Sequence, residues 1–249
     1  MKMSASRVFD SFSRRIGRAH KKLGHKQGWR FLYTPKKTLS SKSEIVFVGL
    51  NPGGGCYERP IASVKNGNAY RVEPWGKIGP SGEDRQLNPL QQQVCKFYDL
   101  LASVWPGTNR DKLSERLMDG SLSSNFYPFR SRSIKHLKNK NNSALFATDL
   151  WSDILDLVVP KLIITMGNDV RAHFDELLTE KHGGIVNPKE FDCDWSGKCT
   201  YRLAFTRIAR TEVLLISLPH LSVYKIFGRE KHKRIFAPLV KTLKRHLKK

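Results

Sequence analysis

Glu44-Ile45-Val46-Phe47-Val48-Gly49-Leu50 is a short, almost unbroken apolar run, and Asn51-Pro52-Gly53-Gly54-Gly55 stops it abruptly. A run of this length without alternation reads as a strand buried on both faces, and such a strand needs helices on either side. The rest of the chain supplies them. Asn88-Pro89 caps and opens a helix through about Ser103, whose apolar face is Leu90, Val94, Phe97, Tyr98 and Leu101. Further helices are predicted over 109–119 and 143–157, from Gly167 to about Leu178, and over 230–247. Strands are predicted at Leu122–Phe126, Lys161–Met166, Tyr201–Ile208 and Glu212–Ser217, with 179–200 irregular. This alternation predicts an α/β domain with a central, largely parallel sheet of about four strands flanked by helices. Ligands of such sheets sit beyond the C-terminal strand ends.

Charge divides the chain differently from hydropathy. The formal charge is +22, yet residues 1–40 carry 11 Lys and Arg against Asp10 alone, and residues 225–249 carry 10 against Glu230 alone. What lies between is close to neutral. Residues 4–23 read as a basic helix with one narrow apolar stripe (Phe9, Phe12, Ile16, Ala19, Leu23), and 24–43 as an extended, Lys-rich arm around Trp29-Arg30-Phe31-Leu32-Tyr33. The expected organisation is therefore a basic N-terminal helix and arm over 1–43, an α/β domain over 44–228, and a basic C-terminal helix over 229–249 that packs on or extends that domain. Such cation clusters attract polyanions by counterion release, nucleic acid above all, with an anionic membrane or a solubility face as the plainer alternatives.

Several classes drop out on composition. Hydrophobic residues at 39% and aromatics at 10% are too many for a disordered basic tail. No apolar run approaches the roughly 20 residues of a spanning helix, and the start, MKMSASRVFD, has no signal-peptide core, so a cytoplasmic protein without a membrane segment is expected. Cys56, Cys95, Cys193 and Cys199 are too sparse for a disulfide scaffold, and the spacing of Cys193 and Cys199 lacks the tight pair of a zinc or iron–sulfur site. Free thiols and no metal are expected.

Three segments at strand ends carry chemistry. Gly49-Leu50-Asn51-Pro52-Gly53 follows the first strand but is neither a P-loop nor a dinucleotide fingerprint. Ser124-Asn125-Phe126-Tyr127-Pro128-Phe129 puts an Asn at a strand end with aromatics behind it. Ser217-Leu218-Pro219-His220-Leu221-Ser222-Val223-Tyr224-Lys225 follows the last strand. Each is weak alone, a glycine turn or a loop histidine.

In this order they resemble the uracil-DNA glycosylase superfamily over about residues 44–228. Gly49–Gly53 is similar to its G-[LIM]-N-P-G water-positioning motif, Asn125 to its base-reading Asn, and Leu221–Lys225 to the tail of its H-P-S-P-L-S-V-Y loop, which inserts into DNA. Val159-Pro160-Lys161-Leu162-Ile163-Ile164-Thr165-Met166-Gly167-Asn168 is similar to a structural segment of the family. The resemblance implies a three-layer fold and a monofunctional DNA glycosylase that flips out a pyrimidine, hydrolyses its N-glycosidic bond and leaves an abasic site, without metal or organic cofactor. It implies Asn51 and His220 as catalytic residues and Asn125, Gly53, Tyr57 and Phe126 as base-binding. Leu221, Ser222 and Lys225 would contact DNA, with Leu221 as the wedge. DNA, single- or double-stranded, is the implied partner of a monomer acting in repair or antiviral defence.

The chain departs from that pattern where specificity is set. In gapless register the family's catalytic His falls on Ser217 and His220 replaces a Pro, so either His220 reaches the base or Ser217 or Ser222 substitutes. Uracil-strict members carry a Tyr two positions after the water-positioning residue, and this chain has Gly53 there. That leaves room beside C5 for hydroxymethylated or glucosylated pyrimidines. Tyr57, Tyr70 and Trp75 are candidates to stack on the base, and Glu58, Glu83 and Asp84 to supply a carboxylate. Two rival readings remain: a non-catalytic nucleic-acid-binding protein on the same fold, and a nucleotide-processing α/β enzyme, for which the basic arms would be superfluous.

Overall fold

The computed structural model describes residues 5–54, 56–75, 87–195, 199–230 and 232–248, so that Gly55, Glu83 and Asp84 lie outside the described residues. In chain order the elements are α1 (Ala5–Lys22), β1 (Ile45–Gly49), α2 (Ala69–Val72), α3 (Pro89–Val104), α4 (Leu113–Gly120), β2 (Leu122–Asn125), α5 (Lys140–Val158), β3 (Leu162–Met166), α6 (Asn168–Lys181), β4 (Val186–Asp192), β5 (Thr200–Ile208), β6 (Thr211–Leu218), α7 (His232–Ile235) and α8 (Ala237–His246). Among the described residues, no helix is long and apolar enough to cross a membrane.

β1 is buried along its whole length and lies between β2 and β3, parallel to both. Its period-2 alternation divides the core. Val46 and Val48 cluster with Trp151 and Ile154 of α5 and Phe174 of α6, while Ile45 and Phe47 cluster with Val94, Phe97, Tyr98 and Leu101 of α3. The protein is thus an α/β domain whose sheet is flanked by helices. The cap expected at Asn88 is formed and is part of a capping box, with Asn88 Oδ1 accepting from Gln91 N at 2.9 Å and Gln91 Oε1 accepting from Asn88 N at 3.1 Å.

The sheet is larger and less parallel than the sequence predicts. It has six strands in the order β2-β1-β3-β6-β5-β4, and β5 and β4 run antiparallel. Only Ala209-Arg210 separate β5 from β6, with Ala209 at φ 52°, and a link this short permits a hairpin but no crossover. β4 falls in the stretch read as irregular. Its side chains are nearly all exposed and its register shifts between Val186 and Lys189, around Pro188. An edge strand of this kind has no buried face and therefore leaves no hydrophobic alternation to read.

The expected arm over 24–43 is corrected to a part of the domain. Arg30 N donates to Pro128 O, Phe31 N to Ile61 O, Leu32 N to Ala62 O and Tyr33 N to Ser123 O, all at 2.8–3.0 Å. The segment lies along the free edge of β2, where Leu32 bridges Ser124, and it satisfies backbone groups that would otherwise face solvent. Phe31 and Leu32 are fully buried, and the apolar stripe of α1 closes over them, with Phe9 stacked on Phe31 at 5.9 Å. The C-terminal helix is likewise docked, through buried Leu239 and Leu243 and a contact of His246 Nε2 with Lys161 O. Phe31→Ala should lower the unfolding free energy by about 3–5 kcal/mol, as for a core aromatic. A loss below about 0.5 kcal/mol in a denaturant titration would instead mark an exposed arm.

Candidate active site

The C-terminal ends of β1, β2, β3 and β6 open into one cavity of about 720 Å³ lined by Asn51, Gly53, Asn125, Met166 and His220. These residues come from four separate stretches of sequence. Parallel strands bring them together because all four strands end on the same side.

The loop after β1 is held by the segment after β2. Asn51 Nδ2 donates to Ser131 O at 3.0 Å and to Ser131 Oγ at 3.1 Å, and Ser131 N donates to Pro52 O. The hydrogen bonds of Asn51 thus run through its amide nitrogen, and the residue lines the cavity. Arg130 is buried, donates to Gly53 O and pairs with Glu58 Oε2 at 2.7 Å, which ties both ends of the glycine stretch to one guanidinium. A Cβ on Gly53 would meet nothing within 4 Å.

Asn125 is seated with equal care. Its Nδ2 donates to Tyr33 OH at 2.7 Å, and its Oδ1 lies so close to the Gly49 backbone that any Cβ at position 49 would collide with it. Tyr33 stacks on Tyr70 at 5.5 Å and meets Trp75 edge-on. Arg30 lies 4.0 Å over the Tyr33 ring and forms a two-pronged pair with Glu73, at 2.8 and 2.5 Å. Trp75 Nε1 adds a bond to Glu73 Oε2 at 2.8 Å. Burial opposes ionisation of Glu73, but the Arg30 and Trp75 donors outweigh it and hold the carboxyl below its ordinary range. Burial raises the phenols of Tyr33 and Tyr70, which stay protonated.

His220 lines the cavity, while Ser217 lies within β6, buried and with no partner for its Oγ among the described residues. His220 Nδ1 is 2.7 Å from Ser222 Oγ. Burial lowers the His220 pKa, so the ring is neutral at pH 7. When Ser222 donates to Nδ1, the ring proton resides on Nε2 as a hydrogen-bond donor. The ring lies against Gly167, whose φ of 98° with ψ of 151° is a conformation that glycine alone adopts readily.

Other expected site residues stand elsewhere. Phe126 is fully buried and stacks on His173 at 4.4 Å, behind the site and outside the cavity lining. Leu221, expected as a wedge, is fully buried in the core that includes Phe97 and Phe227, because the loop folds back at His220. Ser222 and Lys225 are exposed, and Val223 is 60% exposed on the same loop. Tyr57 is exposed and lines a different cleft, whereas Tyr70, Trp75 and Glu58 line the cavity. Arg30, Tyr33, Glu73 and Arg130 were not anticipated from the sequence. The aromatic cluster Trp29–Tyr33 was the available signal, misassigned to the arm.

A scan against family models finds no match for this chain, and a search of curated proteins finds none either. Glu73→Gln should cost about 3 kcal/mol at pH 7 by leaving buried Arg30 without its counter-charge. Because the Glu73 pKa is lowered on folding, the pair contributes above the ordinary carboxylate range and is lost as pH falls through the folded value. Denaturant titrations should therefore show the gap between variant and native protein closing in acid.

Proposed function

We propose that this protein is a DNA glycosylase on a uracil-DNA glycosylase-like three-layer fold, excising a pyrimidine and leaving an abasic site. The observation that carries the reading is that Asn51, Asn125 and His220, far apart in sequence, line one cavity at the ends of parallel strands. A target nucleotide turned out of the helix enters this cavity and packs against Trp75. Asn125, braced by Tyr33, reads the base edge with one donor and one acceptor.

Asn51 Oδ1 accepts from a water and aims it at C1′. A neutral amide cannot take the proton of that water, so the N-glycosidic bond breaks largely ahead of attack. The bonding electrons leave with the base as an anion, stabilised by the neutral His220 donor, and the sugar becomes oxocarbenium-like. Water then adds to C1′ and its proton passes to solvent. The open space at Gly53 admits a C5 substituent, from hydroxymethyl to glucosyl. Val223, exposed where Leu221 is not, is the apolar group available to fill the gap the base leaves.

Asn51→Ala should reduce base release by about 10²–10⁴-fold and His220→Ala by about 10²–10³-fold, with DNA affinity retained in both. Gly53→Tyr should shift the ratio of release by about tenfold or more toward uracil and away from 5-hydroxymethyl and glucosylated pyrimidines. Mass spectrometry of bases freed from matched duplexes measures all three. Undiminished release by Asn51→Ala would reject the mechanism. Intact DNA binding with no base release from any substrate, by native protein and variants alike, would favour a non-catalytic binding protein.

A further inference from the structure

Residues 27–32 and 58–62 run together as a wall one chain thick. Glu58 N donates to Gln27 O, Ile61 N to Trp29 O, Phe31 N to Ile61 O and Leu32 N to Ala62 O. Successive side chains of extended backbone point to opposite sides. Arg30 and Glu58 line the active-site cavity, while their neighbours Trp29 and Tyr57 line a second cleft of about 680 Å³ beneath α1. The two hollows therefore share this wall.

The second cleft is strongly cationic. Arg14, Arg18, Lys21 and Lys26 line it, and among the described residues no carboxylate does. Burial lowers the pKa of His20 and brings that of His25 to about 4, so the charge at neutral pH belongs to the Arg and Lys side chains alone. Gly17, in the middle of α1, lies against the indole of Trp29, where a Cβ would be 3.9 Å from Cζ2 and Nε1, and the half-buried ring keeps part of its surface in the cleft. Tyr57 is 63% exposed, so that its ring is open to a ligand in the cleft. Cations bordering accessible aromatic rings suit a phosphodiester whose base is free to stack, and a paired duplex offers no free base face.

We propose that this cleft binds an unpaired nucleotide of single-stranded DNA, its phosphates on Arg18, Lys21 and Lys26 and its base on Trp29 and Tyr57. Resting on the glycosylase reading, the nucleotide belongs to the strand whose target base occupies the neighbouring cavity. The strand passes over this wall from one hollow to the other, and the site selects substrates with unpaired nucleotides beside the target.

Fluorescence anisotropy of a labelled dT 12-mer, titrated with the full chain at several salt concentrations, tests this. The triple variant R18A/K21A/K26A should flatten the slope of log K against log salt by about 2, at about 0.7 per phosphate released. Tyr57→Ala should weaken binding by about fivefold to a hundredfold while leaving that slope unchanged. Thermal unfolding confirms that both variants fold. Unchanged dT 12-mer binding in both variants overturns the proposal. So does an unaffected Tyr57→Ala beside a weakened triple variant, which would mean a plain polyanion surface, and so does an equal loss for a blunt duplex. Base release measured in parallel separates the two readings. An intact 12-mer result without base release from any DNA removes the glycosylase and the shared strand but leaves the single-strand site. Release by the native protein with unaffected 12-mer binding in the variants removes the site alone.

Discussion

The buried guanidinium of Arg30 is the constraint on which the site depends. A charge only 4% exposed is tolerated in a protein interior only when a counter-charge and good hydrogen bonds replace its water. Glu73 supplies both, and in doing so ties the segment before β1 to the loop that carries Trp75. The guanidinium then covers Tyr33, Tyr33 stacks on Tyr70, and the Tyr33 hydroxyl holds the Asn125 amide. An amide placed this way is preorganised, and does not have to reorganise when a ligand arrives.

The same economy of mobile parts governs the loop after β1. Glycines there would by themselves make a soft loop, yet Ser131 anchors Asn51 and Arg130 anchors Gly53 and Glu58. The space beside Gly53 stays open while the loop is held from behind. Space and rigidity, which usually oppose one another, are thereby supplied by different residues.

The parallel part of the fold and three of the site residues were legible because each left a local trace. An unbroken apolar run marks β1, Asn88-Pro89 marks the start of α3, and Asn51, Asn125 and His220 each stand at a strand end. The misreadings have equally physical causes. Lys-rich surroundings made residues 29–33 look like solvent-exposed arm, although only alternate residues of an extended segment need be apolar to bury it. Leu221 looked like a wedge because local sequence records hydrophobicity and not the side from which a loop is folded. β4 left no trace because an edge strand whose side chains are nearly all exposed carries no apolar alternation.

What the sequence determined by itself was the α/β character, the buried first strand with the motif behind it, and a charge surplus of +22 concentrated toward the two ends. These are properties of neighbours along the chain. Tertiary structure alone decided that the N-terminal segment forms a wall of the site and that Arg30 meets Glu73, 43 residues away. It also decided that Val223 rather than Leu221 faces outward. Burial and ion pairing depend on which distant surfaces meet, and no window of local sequence contains that information.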